Sequence, residues 1–140
     1  MTEHGFHELL AALQQHGVEY ILIGGLAGMA HGSARATLDV AIVYRRSRAN
    51  HERLVAVFEP YSPYLRGAPP GLPFRFDGQT LASGLNFTLT TIIGDIDVLG
   101  EVPGNGTWEA LIHDSEIMTI FGIETRVVSL PRLIQLKRAA

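Results

Sequence analysis

The stretch from Tyr20 to Val43, Y-I-L-I-G-G-L-A-G-M-A-H-G-S-A-R-A-T-L-D-V-A-I-V, constrains this chain more than any other. A four-residue apolar run stops at Gly24-Gly25, a small-residue segment follows, and a second apolar run emerges carrying one acid, Asp39. Tyr20 to Ile23 reads as a buried strand ended by the glycines. Leu26 to His31 then suits a short helix whose small side chains pack closely on a sheet. Leu38 to Tyr44 is the second strand. A third apolar run, Ile92 to Leu99, carries Asp95 and Asp97. Glycines after a strand let backbone N–H groups approach a ligand, and the helix that follows turns its positive end to the same place.

Around these runs, Phe6, Leu9, Leu10 and Leu13 follow helical spacing and predict a first helix from about Glu3 to His16, stopped by Gly17. Ser47 is an N-cap for a helix reaching Phe58, and Pro60 ends it. Pro60 to Pro73 reads as a long surface loop without a cluster of reactive side chains. Asn86–Thr91 and Asp95–Leu99 predict a hairpin about Gly94. Pro103-Gly104-Asn105-Gly106 is a turn, and Thr107 caps a short helix with Trp108 and Leu111. Ile117–Phe121 and Ile123–Val128 predict a second hairpin about Gly122, and Ser129 with Pro131 opens a last helix over Leu133–Arg138. This order predicts an α/β (α+β) domain, a mixed β-sheet flanked by helices. With 140 residues it is one domain, 1–140.

Composition excludes several classes. There is no cysteine, hence no disulfide, thiolate nucleophile or cysteine zinc site, which fits a cytoplasmic chain. No apolar run approaches a bilayer span, and the first residues lack a signal-peptide pattern, so no membrane partner is expected. A net charge of -3 opposes generic polyanion binding. Arg45, Arg46, Arg48 and Arg53 form one local basic cluster, read as a solvated strand end and helix start. The mean hydropathy of +0.17 points weakly to a subunit surface, such as that of a homodimer.

The acids carry the chemistry. Residues 39 and 41 share a strand face, as do Asp95 and Asp97, because side chains alternate with period two. Asp39 and Asp97 are flanked by apolar residues, where a carboxylate is costly unless a cation or hydrogen bonds offset it. Two such acids suggest a shared hard cation, Mg²⁺. The competing reading has them as strand-end acids that face solvent or pair with Arg35 or Arg126. A P-loop is excluded because Lys137 is the one lysine and no Gly-Lys-Ser/Thr exists. The dinucleotide fingerprint fails at Ile23, where it needs glycine. His4 and His7 lie one helical turn apart without a third ligand at diagnostic spacing, and His31 falls where it would line a pocket mouth.

Three blocks together resemble the nucleotidyltransferase superfamily, the polymerase-β-like fold. They are I-G-G-L-A-G-M-A-H-G-S-A-R-A-T-L-D-V-A-I-V, F-T-L-T-T-I-I-G-D-I-D-V-L-G-E-V-P-G and S-L-P-R-L-I-Q-L-K-R-A-A. They cover about half the chain, and the first looks most like the small bacterial branch related to abortive-infection and toxin-type nucleotidyltransferases. The resemblance implies transfer of a nucleoside monophosphate from an NTP to a hydroxyl with Mg²⁺. Gly24, Gly25, Arg35 and Lys137 would meet the nucleotide, and Asp39 and Asp97 would be metal ligands and catalytic acids. Thr37 matches another polar position of the family. Two departures stand out. Ala41 occupies the place of the family's second acid, which implies impaired catalysis. Relatives continue past the position of Ala140, which implies a C-terminally truncated domain. The alternative is a non-catalytic nucleotide-binding or toxin-antitoxin-type interaction module. The acceptor, whether tRNA, protein or small molecule, stays open.

Overall fold

A computed structural model of the chain describes residues 1–33 and 40–140. The helix α1 spans Glu3–Gln15, with the Thr2 hydroxyl accepting from the Gly5 N–H as its cap. Strand β1 is Tyr20–Ile23 and helix α2 is Gly24–Ala30, so the helix begins at the first glycine rather than at Leu26. Strand β2, Val40–Tyr44, leads to α3, Arg48–Phe58, capped by Ser47 on the Asn50 N–H. A 3-10 turn at Glu59–Tyr61 precedes a short strand β3, Tyr64–Leu65. Next come α4 (Gly78–Ser83), β4 (Asn86–Thr91) and β5 (Gly94–Leu99). A two-stranded ribbon of β6 (Glu101–Val102) and β7 (Gly106–Thr107) precedes α5, Trp108–Leu111. The chain then forms β8 (Ser115–Ile120), β9 (Ile123–Val128) and α6 (Leu130–Ala139).

Seven strands make one mixed sheet in the order β3-β4-β5-β2-β1-β9-β8. β2 is its hub. It pairs antiparallel with β1 and parallel with β5, although the two lie far apart in the chain. Register sets the faces. Leu22, Ile42, Ile96, Val98, Leu89 and Val127 are connected by pairing and all are buried. The same core includes Phe6, Leu9, Leu10 and Leu13 of α1 and Leu54, Val57 and Phe58 of α3. Burying apolar side chains at about 25 cal/mol per Å² makes this face the main source of stability. The opposite face carries Ile23, Ala41, Asp97 and Thr88 in one cross-strand row.

Two readings of the sequence need correction. Pro60–Pro73 is not wholly loop, because β3 pairs with β4 and widens the sheet by a strand. Two residues have little strand preference of their own; the ladder of β4 supplies it. The last helix also starts earlier than Leu133, at Leu130, because the Ser129 hydroxyl accepts from the Arg132 N–H and Pro131 suits the first helical turn. Among the described residues no helix is long and apolar enough to cross a membrane.

Candidate functional site

The strand pairings bring the sequence-predicted residues to one end of the sheet. Ala41 stands between Ile23 of β1 and Asp97 of β5 in register, so all three side chains leave the same face. Gly24 follows Ile23 with φ +74°, a conformation that side chains with a Cβ rarely adopt. A Cβ built there would stand 3.4 Å from the Ala41 methyl. The glycine turn, position 41 and Asp97 are therefore neighbours.

Beside Gly24 opens a cavity of about 210 Å³ whose wall includes Ile23, Val102, Pro103, Leu133 and Lys137. The far helix α6 thus brings the one lysine to the glycine turn. Arg132 holds that helix in place: its Nη2 donates to the carbonyls of Gly104 and Asn105 at 3.0 Å each, tying α6 to the β6–β7 turn. His31, at the end of α2, donates from Nε2 to the Val128 carbonyl at 2.7 Å and is a scaffold contact between α2 and β9. Among the described residues the cavity wall is apolar apart from Lys137.

Asp97 has a cationic neighbour that the sequence did not reveal. Arg66, just after β3, places Nη2 3.0 Å from Asp97 Oδ1 and Nε 3.4 Å from Asp95 Oδ2. The first contact lacks hydrogen-bond angles. Asp97 Oδ1 is shielded from water and has no hydrogen-bond donor among the described residues. Among the described residues Arg126 does not pair with Asp97; it donates to the Ser115 hydroxyl. The segment read as lacking reactive side chains thus supplies the charge that faces both acids. No local signal in the sequence marks Arg66, because its role depends on β3 joining the sheet beside β4.

Arg35, Thr37 and Asp39 lie outside the described residues. Of the implied metal ligands, Asp97 alone is described. Among the described residues no group of three His, Cys, Asp or Glu side chains could hold a metal ion. Among the described residues, Asp97 meets a methyl group at position 41 and the Arg66 guanidinium rather than further carboxylates.

The basic cluster proves structural. Arg45 pairs with Glu19 at 2.9 Å and lies over the Trp108 ring, and Arg53 reaches the same Glu19 at 3.7 Å. Arg46 donates to the Gly84 carbonyl, and Arg48 approaches Glu52. A larger cavity of about 650 Å³ lies near Arg46, Ser47 and His51, at the other end of β2, and none of the predicted site residues lines it. There, burial, and then the charge of Arg46, lower the pKa of His51.

This mixed sheet with its flanking helices is a nucleotidyltransferase-like fold. A crystal structure from Thermotoga maritima described as "a putative nucleotidyltransferase" is similar to it, with a TM-score of 0.63 over 95% of this chain and 80% of that one. The two sequences are 15% identical, so the likeness is one of fold. No protein-family profile matches the chain, and no curated protein matches it.

Proposed function

We propose that this chain binds a nucleoside triphosphate at the glycine turn, and that its transfer of a nucleoside monophosphate to a hydroxyl is impaired. The observation that carries the reading is the meeting of Ile23, Gly24 and Lys137 around one cavity, with Ala41 and Asp97 following Ile23 in the same cross-strand row, on a fold shared with a nucleotidyltransferase-like protein. The apolar wall suits the flat faces of a base and sugar, and Lys137, an exposed cation whose side chain borders the cavity, suits phosphate. Gly25 and Arg35 belong to the same proposal as further phosphate contacts, and Asp39 as a remaining member of an Mg²⁺-binding acid set that lacks its carboxylate at position 41.

Ala41 favours the impaired form. Its methyl group stands in register with Asp97, where a second carboxylate would complete a D-x-D pair with Asp39. Loss of one acid from a metal-bridging set removes charge that organises the attacking and leaving oxygens. Nucleotide binding makes fewer demands, because backbone N–H groups and one lysine suffice for phosphate.

Calorimetric titration of ATP, CTP, GTP and UTP into the full chain tests this. Binding of at least one NTP is expected, weakened by Lys137→Ala with the fold unchanged, since an exposed lysine contributes little to stability. Absence of binding by all four at millimolar concentration would leave the non-catalytic interaction module as the better reading.

A further inference from the structure

We propose that Arg66 is the resident cation of this site, standing against Asp97 where a divalent ion would otherwise be held, so that nucleotide is bound without metal. The inference rests on the nucleotide-binding reading above for its second half and on the Arg66 contacts alone for its first.

Arg66 is built into the sheet edge rather than draped over it. Its backbone N–H donates to the Thr88 carbonyl at 3.0 Å, and Nη2 donates to the Leu89 carbonyl at 2.9 Å. Leu65, the residue before it, pairs with Leu89 in the ladder. The backbone and the Leu89 carbonyl therefore orient the guanidinium before either acid is considered. From there it reaches Asp95 and Asp97 together, which share a face of β5 two residues apart. Among the described residues it is the one cation within ion-pair reach of either acid.

The need of the buried Asp97 oxygen for a positive neighbour is then met without metal. The buried Oδ1 of Asp97 needs a positive neighbour, since a shielded carboxylate oxygen with no hydrogen-bond donor is otherwise costly. Arg66 supplies it at 3.0 Å. A Mg²⁺ ion at the same place would need oxygen ligands in near-octahedral order. It would find a methyl group at position 41 and would have to displace a guanidinium held by the Leu89 carbonyl and by ion pairs with Asp95 and Asp97. The loss of an acid at 41 and the presence of a fixed cation at 66 are thus complementary. Arginine also suits the second role: Nη1 is unengaged among the described residues, and a guanidinium meets phosphate oxygens with more than one donor.

The test has two arms, both on the full chain. In the first, Mn²⁺ is titrated into nucleotide-free wild type, Arg66→Gln and Arg66→Lys, with free Mn²⁺ read by electron paramagnetic resonance. Releasing Asp95 and Asp97 in Arg66→Gln should tighten Mn²⁺ binding at least about tenfold, the scale of a lost charge-assisted contact. Arg66→Lys keeps the charge and should stay close to wild type. Equal Mn²⁺ affinity in wild type and Arg66→Gln, with melting curves showing both folded, would overturn the assignment. In the second arm, the best NTP is titrated in EDTA and in Mg²⁺. Wild type should bind equally in both, and Arg66→Gln should weaken about tenfold in EDTA. Wild-type binding that vanishes in EDTA would overturn metal-free recognition. If no NTP binds any variant, the nucleotide reading fails, while the Mn²⁺ arm still decides the role of Arg66.

Discussion

Restoring an acid at position 41 probes the geometry of the site most sharply. Ala41 and Asp97 are partners on adjacent parallel strands, so Ala41→Asp sets a second carboxylate beside the first. Strand spacing places the two at about 5 Å, where like charges repel by roughly 3 kcal/mol at an effective dielectric constant of about 20. Asp97 is one-third exposed and already faces Arg66, so screening and that guanidinium offset a good part. A net loss of about 1–2 kcal/mol remains, or a fall in melting temperature of roughly 3–8 °C for a domain of this size. Ala41→Asn, nearly equal in volume and uncharged, should lose much less. With a cation between the carboxylates the repulsion becomes attraction, so millimolar Mg²⁺ should raise the melting temperature of Ala41→Asp more than that of the parent or of Ala41→Asn. Differential scanning calorimetry with and without Mg²⁺ reads both effects. Equal melting of the Asp and Asn variants, with no difference in their Mg²⁺ response, would refute the juxtaposition of positions 41 and 97.

Other perturbations test the scaffold around the site. Asn50 is buried, and its side chain accepts from the Glu19 N–H and donates to the carbonyls of Glu19 and Arg45 at 2.8–2.9 Å. Asn50→Ala should cost about 2–4 kcal/mol in urea unfolding by stranding these groups, and a loss under about 1 kcal/mol would contradict the bonding. Gly24→Ala forces a Cβ onto a φ of +74° and should destabilise by about 1–2 kcal/mol, read in the same assay, whereas Gly78→Ala, at an ordinary φ with open space, should not. Burial pushes the Tyr20 phenol up to about 12, partly opposed by its hydrogen bond with Thr125. The unfolded chain ionises first, at about pH 10, so stability should fall between pH 10 and 12 by on the order of 2 kcal/mol. Tyr20→Phe should flatten that fall, and an unchanged alkaline slope would count against the buried phenol.

How much of this was legible depended on whether the cause was local. Helices α1 and α3 follow from periodic leucines and from the Ser47 cap, and β1, β2 and the β4–β5 and β8–β9 hairpins from apolar runs broken at glycines. The cause of β3 is remote: Tyr64 and Leu65 are strand because β4 offers them a ladder, amid proline and glycine signals that read as loop. Arg66 inherits that remoteness, since its meeting with Asp95 and Asp97 exists only once β3 has joined the sheet. Helix α4 is a further case. Its six residues have weak helical pattern, and it is held by the Asp77 cap on Thr80 and by packing beside α3. Lys137 and Gly24 were each legible as motif positions, yet their sharing one cavity follows from α6 being tied down by Arg132.

Amide chemical-shift mapping with ATP on isotope-labelled full chain decides whether nucleotide binds at the glycine turn. The largest saturable shifts are expected at Gly24, Ala41, Asp97 and Lys137, which four separate elements bring to one end of the sheet. Shifts confined to Arg46, Ser47 and His51 around the larger cavity, or none at millimolar ATP, would contradict it.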